Sequence, residues 1–219
     1  MTDVNQLGRF TRGSIADRQA ALPGPLRDLN RAVLRRFLET GSAPTARWLR
    51  QAAAGLGLGA GAIYELAAAD AVHVVNGVVA AAYPFSGGPT RHRVELDGLP
   101  AVYAMCAIDA LGLPAMTGRD GRITSTDPAD GQPIVISVRG GTWSWNPAGA
   151  VVVAGRATDC GTNCDAREAM CPNTTFRASH GSAHAYLAGR GDIDAEILDQ
   201  PTAIQAGRVN FGPLLGGTA

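Results

Sequence analysis

The dipeptide Asn76-Gly77 sits between two β-rich runs, Val72–Val75 and Val78–Tyr83. Asn-Gly in that setting is the strongest short-range signal for a two-residue hairpin turn. The chain upstream of this hairpin has a different period. Leu26, Leu29, Val33, Leu34, Phe37 and Leu38 recur at helical spacing between Pro25 and Gly41, which predicts a first helix. Pro44 is placed to open a second helix, whose Trp48, Leu49, Ala52 and Leu56 form one apolar stripe ending near Gly55 and Gly57. Ala60 to Ala69 reads as a short third helix. Three helices followed by a hairpin predict a winged-helix-like domain over residues 26–83, behind a frayed leader over 1–25.

Winged-helix layouts often read DNA, so charge has to be weighed. All of the chain's lysine-plus-arginine total is arginine; residues 1–50 carry nine against four acids, and residues 51–219 carry ten against fifteen. An arginine-bearing solvated helix face accounts for that asymmetry. The third helix, residues 61–70, offers no arginine or lysine to a phosphate backbone, so DNA binding is not expected. With 46% hydrophobic and 17% charged residues the chain is not disordered. It lacks an apolar run of the roughly 18 residues that a transmembrane helix needs. Asp3, Arg9, Arg12 and Asp17 stand where a secretion signal would be apolar. The expectation is a cytoplasmic protein without membrane contact.

The turn-rich stretch Pro84 to His92 is expected to link this domain to a second one over 93–219, which has short strands at Val94–Leu96, Arg122–Thr126, Ile134–Val138 and Val151–Ala154. These predict an antiparallel meander, and the fold class is α+β. Pro100 is placed to open a helix through Leu111 that stops near Gly112 and Pro114. Ala183–Leu187 and Asp194–Leu198 read as weak helical pieces.

All four cysteines, Cys106, Cys160, Cys164 and Cys171, fall in this second part. Disulfides rarely persist in a reducing compartment, so thiol or metal chemistry becomes the question. On the expected helix, Cys106 and Asp109 share a face one turn apart. A thiolate is a soft nucleophile and ligand, and a desolvated carboxyl can keep its proton and act as an acid. The bland alternative is a buried cysteine beside an aspartate that bonds nearby backbone. Cys160, Cys164 and Cys171, with Cys106 or a histidine, would make a zinc site, although their spacing departs from the paired C-x2-C pattern. His180 and His184 are candidate nitrogen ligands or simply solvated; His73 and His92 carry less signal.

The stretch VYAMCAIDALGLPAMTGRDGRITS, Val102 to Ser125, resembles the active-site helix and following strand of the organomercurial (alkylmercury) lyases. MCPNTTFRAS, Met170 to Ser179, resembles the segment that carries that family's second catalytic cysteine, and residues 26–83 resemble its N-terminal winged-helix-like domain. The resemblance covers most of the chain and makes residues 93–219 a catalytic domain of the alkylmercury lyase type. It implies that Cys106, Asp109 and Cys171 cleave a carbon–mercury bond, leaving a hydrocarbon and Hg(II) on Cys106 and Cys171. Cys160 and Cys164 are further candidate ligands. No cofactor is implied, only Hg(II) as bound product. The implied partners are an organomercurial substrate, low-molecular-weight thiols and a mercuric-ion reductase.

The chain departs from the family pattern in three places. Thr126-Asp127 stand where those lyases commonly carry a further structural cysteine, Cys160 and Cys164 look like additions, and Pro172 directly follows Cys171. A divergent member that holds metal through thiolates, or runs a different lyase reaction, is the alternative reading. A metal-responsive DNA-binding regulator is the third.

Overall fold

A computed structural model describes residues 14–159 and 165–216. Cys160 and Cys164 therefore lie outside the described residues, as do the first 13 residues of the expected leader. The rest of that leader is not frayed. It holds helix α1 (Ile15–Ala21), closed by a capping box in which Ser14 Oγ accepts from the Asp17 N–H and Asp17 Oδ2 accepts from the Ser14 N–H, both at 3.1 Å.

Helix α2 (Gly24–Thr40) starts with proline in its first turn and ends at Gly41 in the left-handed region, as expected. Its six periodic apolar residues are all buried. Helix α3 (Ala46–Gly55) is capped by Thr45, whose Oγ1 accepts from the Trp48 N–H at 3.2 Å; Pro44 lies just before the cap rather than inside the first turn. Helix α4 (Ala62–Ala68) leads into the hairpin of β1 (Val72–Val75) and β2 (Val78–Ala82).

The hairpin continues into a larger sheet. Strands β3 (Phe85–Ser86), β4 (His92–Leu96), β5 (Val102–Ala104), β6 (Gly121–Thr126), β7 (Pro133–Arg139) and β8 (Thr142–Asn146) join it in the order β1-β2-β3-β5-β4-β6-β7-β8, every pair antiparallel. Residues 84–92 thus contribute β3 to this sheet, and the apolar core runs across them. Phe37 of α2 stacks on Phe85 with ring centroids 4.9 Å apart. A second, three-stranded antiparallel sheet has β9 (Val151–Ala157) between β10 (Thr175–Arg177) and β11 (Ile193–Leu198). Helices α5 (Ala107–Thr117), α6 (Ala166–Ala169), α7 (His180–Leu187) and α8 (Gln200–Phe211) complete the α+β fold. No helix among the described residues is long and apolar enough to cross a membrane.

Three local expectations fail. Val102–Ala104 is a strand rather than the start of a helix, because its backbone is taken up by β3 and β4 on either side. The helix begins only after Cys106 and runs through Gly112 and Pro114 to Thr117. Gly112 is a contact, not a stop: a Cβ there would lie 2.3 Å from Phe211 Cδ2, and one on Gly207 would lie 2.8 Å from the Gly112 nitrogen. The two glycines let α5 and α8 cross with their backbones almost touching. Asp194–Leu198 pairs along β9 from Ile193↔Ala157 to Leu198↔Val152, so ladder bonds override its weak helical character. Strand β8 and helix α8 were not foreseen. The first follows the Gly140-Gly141 turn; the second is capped by Asp199, whose Oδ1 accepts from the Thr202 N–H at 2.9 Å.

Candidate active site

Cys106 is the N-cap of α5, not a residue within it. Its backbone is extended, with φ −145° and ψ −177°, and its carbonyl accepts the first helical bond, from the Ala110 N–H at 3.0 Å. Asp109 is then the third helical residue, and its carboxylate reaches back to both the N–H and the thiol of Cys106. This is the acidic half of a capping box with cysteine in the usual serine position. The two side chains meet, as the spacing predicts, through cap geometry rather than through a shared helical face.

Cys171 arrives from the other direction. Helix α6, capped by Asp165, ends at Met170, and residues Cys171–Asn173 form a single 3-10 turn with Pro172 in its first positions. Proline needs no partner for its missing N–H there, so it fits the turn. The turn lies on β9 at Gly155, where a Cβ would approach the Asn173 carbonyl oxygen to 2.9 Å. The Ala107 N–H donates to the Thr174 carbonyl at 3.3 Å, tying the start of α5 to this segment.

The result is one cluster. Ligand atoms of Cys106, Asp109 and Cys171 all lie within 4.8 Å of one another, with Cys171 Sγ 3.9 Å from Asp109 Oδ2. Cys106 and Asp109 are buried and Cys171 is half-buried. Burial pushes the Asp109 carboxyl up to about 7, against the opposing bonds from Cys106 and Cys171, so near neutrality it both holds and releases its proton. Burial likewise drives the Cys106 thiol well above its ordinary value, reinforced by its bond with Cys171 and the Asp109 charge. At Cys171 the bond from Cys106 is the largest single influence and pulls the thiol down. Burial and the Asp109 charge together outweigh it, leaving that thiol raised too. Two protonated thiols and one titrating carboxyl therefore share a water-poor site.

A cavity of about 170 Å³ opens on all three groups, with Ile108, Ala154, Met170 and Phe211 among its apolar lining. Tyr83, which the sequence reading passed over, also lines it. Its hydroxyl donates to Asp70 Oδ1 at 3.2 Å and accepts from the Arg167 N–H at 2.9 Å, while Asp70 Oδ2 accepts from the Ala166 N–H at 2.9 Å and pairs with Arg18. Asp70 and Tyr83 thereby pin α6, and with it the approach to Cys171, to the N-terminal part of the chain. Burial, then the charges of Cys171, Asp165 and Asp109, raise the Tyr83 phenol, so it stays neutral.

The histidines stand apart from the cluster. His92 is buried with Nδ1 3.0 Å from Ser125 Oγ; burial, helped by Arg91, lowers it to about 3. His73 Nε2 lies 2.6 Å from Arg167 Nη1, and His180 and His184 are exposed on α7. Asp127, which with Thr126 occupies the position of the further cysteine in the family pattern, is a buried anchor. It accepts from Arg177 Nη1 at 3.0 Å, the Ala178 N–H at 2.8 Å and Ser182 Oγ at 2.6 Å, joining β10 and α7 to the end of β6.

Two thiols and an acid converging on one small cavity are a donor set that suits a soft metal with a proton source beside it. The sequence model of the alkylmercury lyase family matches residues 85–212, and the chain belongs to that family. An alkylmercury lyase of Streptomyces lividans is 33% identical over 134 residues, covering 59% of this chain and 58% of that protein. One of Staphylococcus epidermidis is 31% identical over 121 residues, covering 55% and 53%. The chain thus spans about half the length of the curated relatives it matches. A solved structure described as the mercury-bound form of MerB2 shares the fold, with a TM-score of 0.74 over 97% of this chain and 100% of that one, at 20% identity.

Proposed function

We propose that this protein is an organomercurial lyase that protonolytically cleaves carbon–mercury bonds, with Cys106 and Cys171 as mercury ligands and Asp109 as the acid. The observation that carries the reading is the approach of two thiols and a carboxyl, from segments remote in sequence, to within 4.8 Å of one another. Sulfurs at such a separation suit a heavy atom held between them, by analogy with metal–thiolate bonds of about 2.3 Å.

The chemistry follows from the protonation states. An R–Hg⁺ entering the apolar cavity meets thiols that keep their protons until a soft cation displaces them. One thiol proton leaves to solvent and the other passes to the Asp109 carboxylate, which at a value of about 7 can accept it. Two thiolates then donate electron density to mercury and weaken its bond to carbon. As that bond breaks its electron pair stays on carbon, Asp109 delivers the proton there, R–H departs, and Hg²⁺ remains on the two sulfurs. No cofactor takes part. Mercury then passes to small thiols or to a mercuric-ion reductase in a reducing cytoplasm.

The test is incubation of reduced protein with a phenylmercury salt and excess thiol, with benzene measured by gas chromatography. Benzene at multiple turnovers is expected, and Asp109→Ala should bind the organomercurial without yielding benzene. Folded, reduced protein that binds mercury and yields no hydrocarbon overturns the reading, leaving a thiolate metal holder.

A further inference from the structure

Cys171 faces two cavities. Besides the small apolar one it shares with Cys106 and Asp109, it lines an open groove of about 940 Å³ on the other side of the 3-10 turn; neither Cys106 nor Asp109 reaches that groove. Thr174, whose carbonyl ties the turn to α5, lines both as well. The half-buried Cys171 therefore borders both a small, mostly apolar cavity and an open groove.

The groove has a distinct charge. Arg91, Arg167, Arg177 and Arg190 line it, against the single carboxylate of Asp130. Arg177 is balanced by Asp127 and Arg190 by Asp192. Among the described residues Arg91 is exposed with no carboxylate partner, and the Arg167 guanidinium meets the His73 ring nitrogen, whose other nitrogen lies 3.6 Å from Asp165 Oδ2, with no carboxylate of its own. Arg177 is 2% exposed, paired with Asp127 and stacked on the Tyr186 ring 3.9 Å from its Cζ, so the charges left for a ligand are those of Arg91 and Arg167.

We infer that this groove binds a carboxylate-bearing low-molecular-weight thiol and presents it to Cys171 as the acceptor for the mercury product. The inference rests on the lyase reading above, since it assigns the exit route of that reaction's product. Hg²⁺ on two thiolates does not dissociate freely; a third thiolate must add before either bond breaks, and Cys171 is the ligand a solvent-borne thiol can reach. The exchange balances without oxidation or reduction. Protein-bound Hg²⁺ plus two RSH gives Hg(SR)₂ and two protein thiols, each incoming proton moving to the sulfur that leaves. The arginines supply charge-assisted bonds to the acceptor's carboxylate, placing its sulfur beside the metal. Substrate entry through the apolar cavity and acceptor entry through the cationic groove are then separate. An anionic thiol can dock without competing for the space of the organic group.

The test starts from protein loaded directly with Hg²⁺, so it does not depend on carbon–mercury cleavage; the benzene assay reports separately on the lyase reading. Mercury release is timed by stopped flow with three acceptors, 3-mercaptopropionate, 2-mercaptoethanol and cysteamine, each rate divided by the thiolate concentration at that pH. The wild type should favour 3-mercaptopropionate over 2-mercaptoethanol by roughly tenfold at low salt, with saturation at high acceptor concentration and cysteamine slowest. Arg91→Gln combined with Arg167→Gln should bring the ratio close to one and abolish saturation. Arg122→Gln, an exposed arginine on β6 outside the groove, should leave the ratio unchanged. Single-turnover benzene release should be the same in the double variant and the wild type, which shows that the variant folds. Equal normalised rates for the three thiols in the wild type overturn the proposal. So does a preference that survives the double variant or falls equally in Arg122→Gln.

Discussion

The Ala107 N–H donates to the Thr174 carbonyl at 3.3 Å, so the first residue of helix α5 is bonded to the segment that begins at Cys171. The two cysteines are thus held by backbone, yet they differ in access: Cys106 is 6% exposed, whereas Cys171 is half-buried and lines the open groove. Alkylation needs both a thiolate and a path to it. Iodoacetamide should therefore modify Cys171 at least about tenfold faster than Cys106, read by peptide mapping of the two sites. Faster labelling at Cys106 would mean that the site opens from the helix side.

Asp109 and His92 give opposite pH dependences of stability. Between about pH 4 and 7 the unfolded chain has lost the Asp109 proton while the folded one keeps it, so stability falls as pH rises through that window. Between about pH 3 and 6.5 the unfolded chain carries a proton on His92 that the folded one refuses, so stability falls as pH drops. Each effect is on the order of 4 kcal/mol at full extent, taking about 1.4 kcal/mol per pKa unit. Asp109→Asn should leave the His92 slope exposed, so its urea midpoint rises from pH 4.5 to 6.5 relative to wild type. His92→Gln should show the reverse. Identical pH slopes in all three proteins would contradict both assignments.

Local signals in the chain specify part of the fold. Helices α2 to α4, the hairpin, β6 and β7 follow from period, proline and Asn-Gly signals within a few residues. Val102–Leu111 is nearly continuous apolar sequence, in which no period distinguishes strand from helix; only pairing with Ser86 and Arg93 decides. Asp194–Leu198 mixes helix formers with isoleucine and leucine, and is likewise decided by a strand it meets only on folding. In the site, the Cys106–Asp109 contact is local and its spacing announces it. Cys171 carries no local link to that pair: thiol chemistry alone leaves it beside Cys160 and Cys164 as one candidate among several, and the family resemblance singles it out. The roles of Asp70 and Tyr83 depend on partners 96 and 84 residues away, so no window of sequence contains them.

The Asp127–Arg177 pair is buried on both sides, at 1% and 2% side-chain exposure, and supports the strand that follows Cys171. Removing only the acid leaves a buried guanidinium with no carboxylate opposite and only the Tyr186 ring 3.9 Å from its Cζ, which typically costs about 3–5 kcal/mol. Asp127→Ala should lose about that much in urea denaturation. Asp127→Ala with Arg177→Met should recover a large part, because no uncompensated charge remains. A double variant no more stable than the single one would show that the carboxylate's bonds to Ala178 and Ser182 dominate instead.

The crossing of α5 and α8 sets where Asp109 stands relative to Phe211, which lines the same cavity. Gly112→Ala places a methyl 2.3 Å from Phe211 Cδ2 and 2.9 Å from its Cβ, so the whole of α8 must shift rather than one side-chain tip. Alanine gains up to about 1 kcal/mol of helix propensity over glycine. Overpacking a tight interface costs about 1–3 kcal/mol, and here the clash reaches the base of the side chain, so the loss should win. The expected outcome is a thermal midpoint several degrees lower, by roughly 2–4 °C per kcal/mol for a chain of this size. Truncating the opposing ring in a Phe211→Ala, Gly112→Ala double variant should remove the ring's part of the clash, leaving only the 2.9 Å approach to Cβ, and make the two changes less than additive. Simple additivity would show that the helices do not meet at these residues.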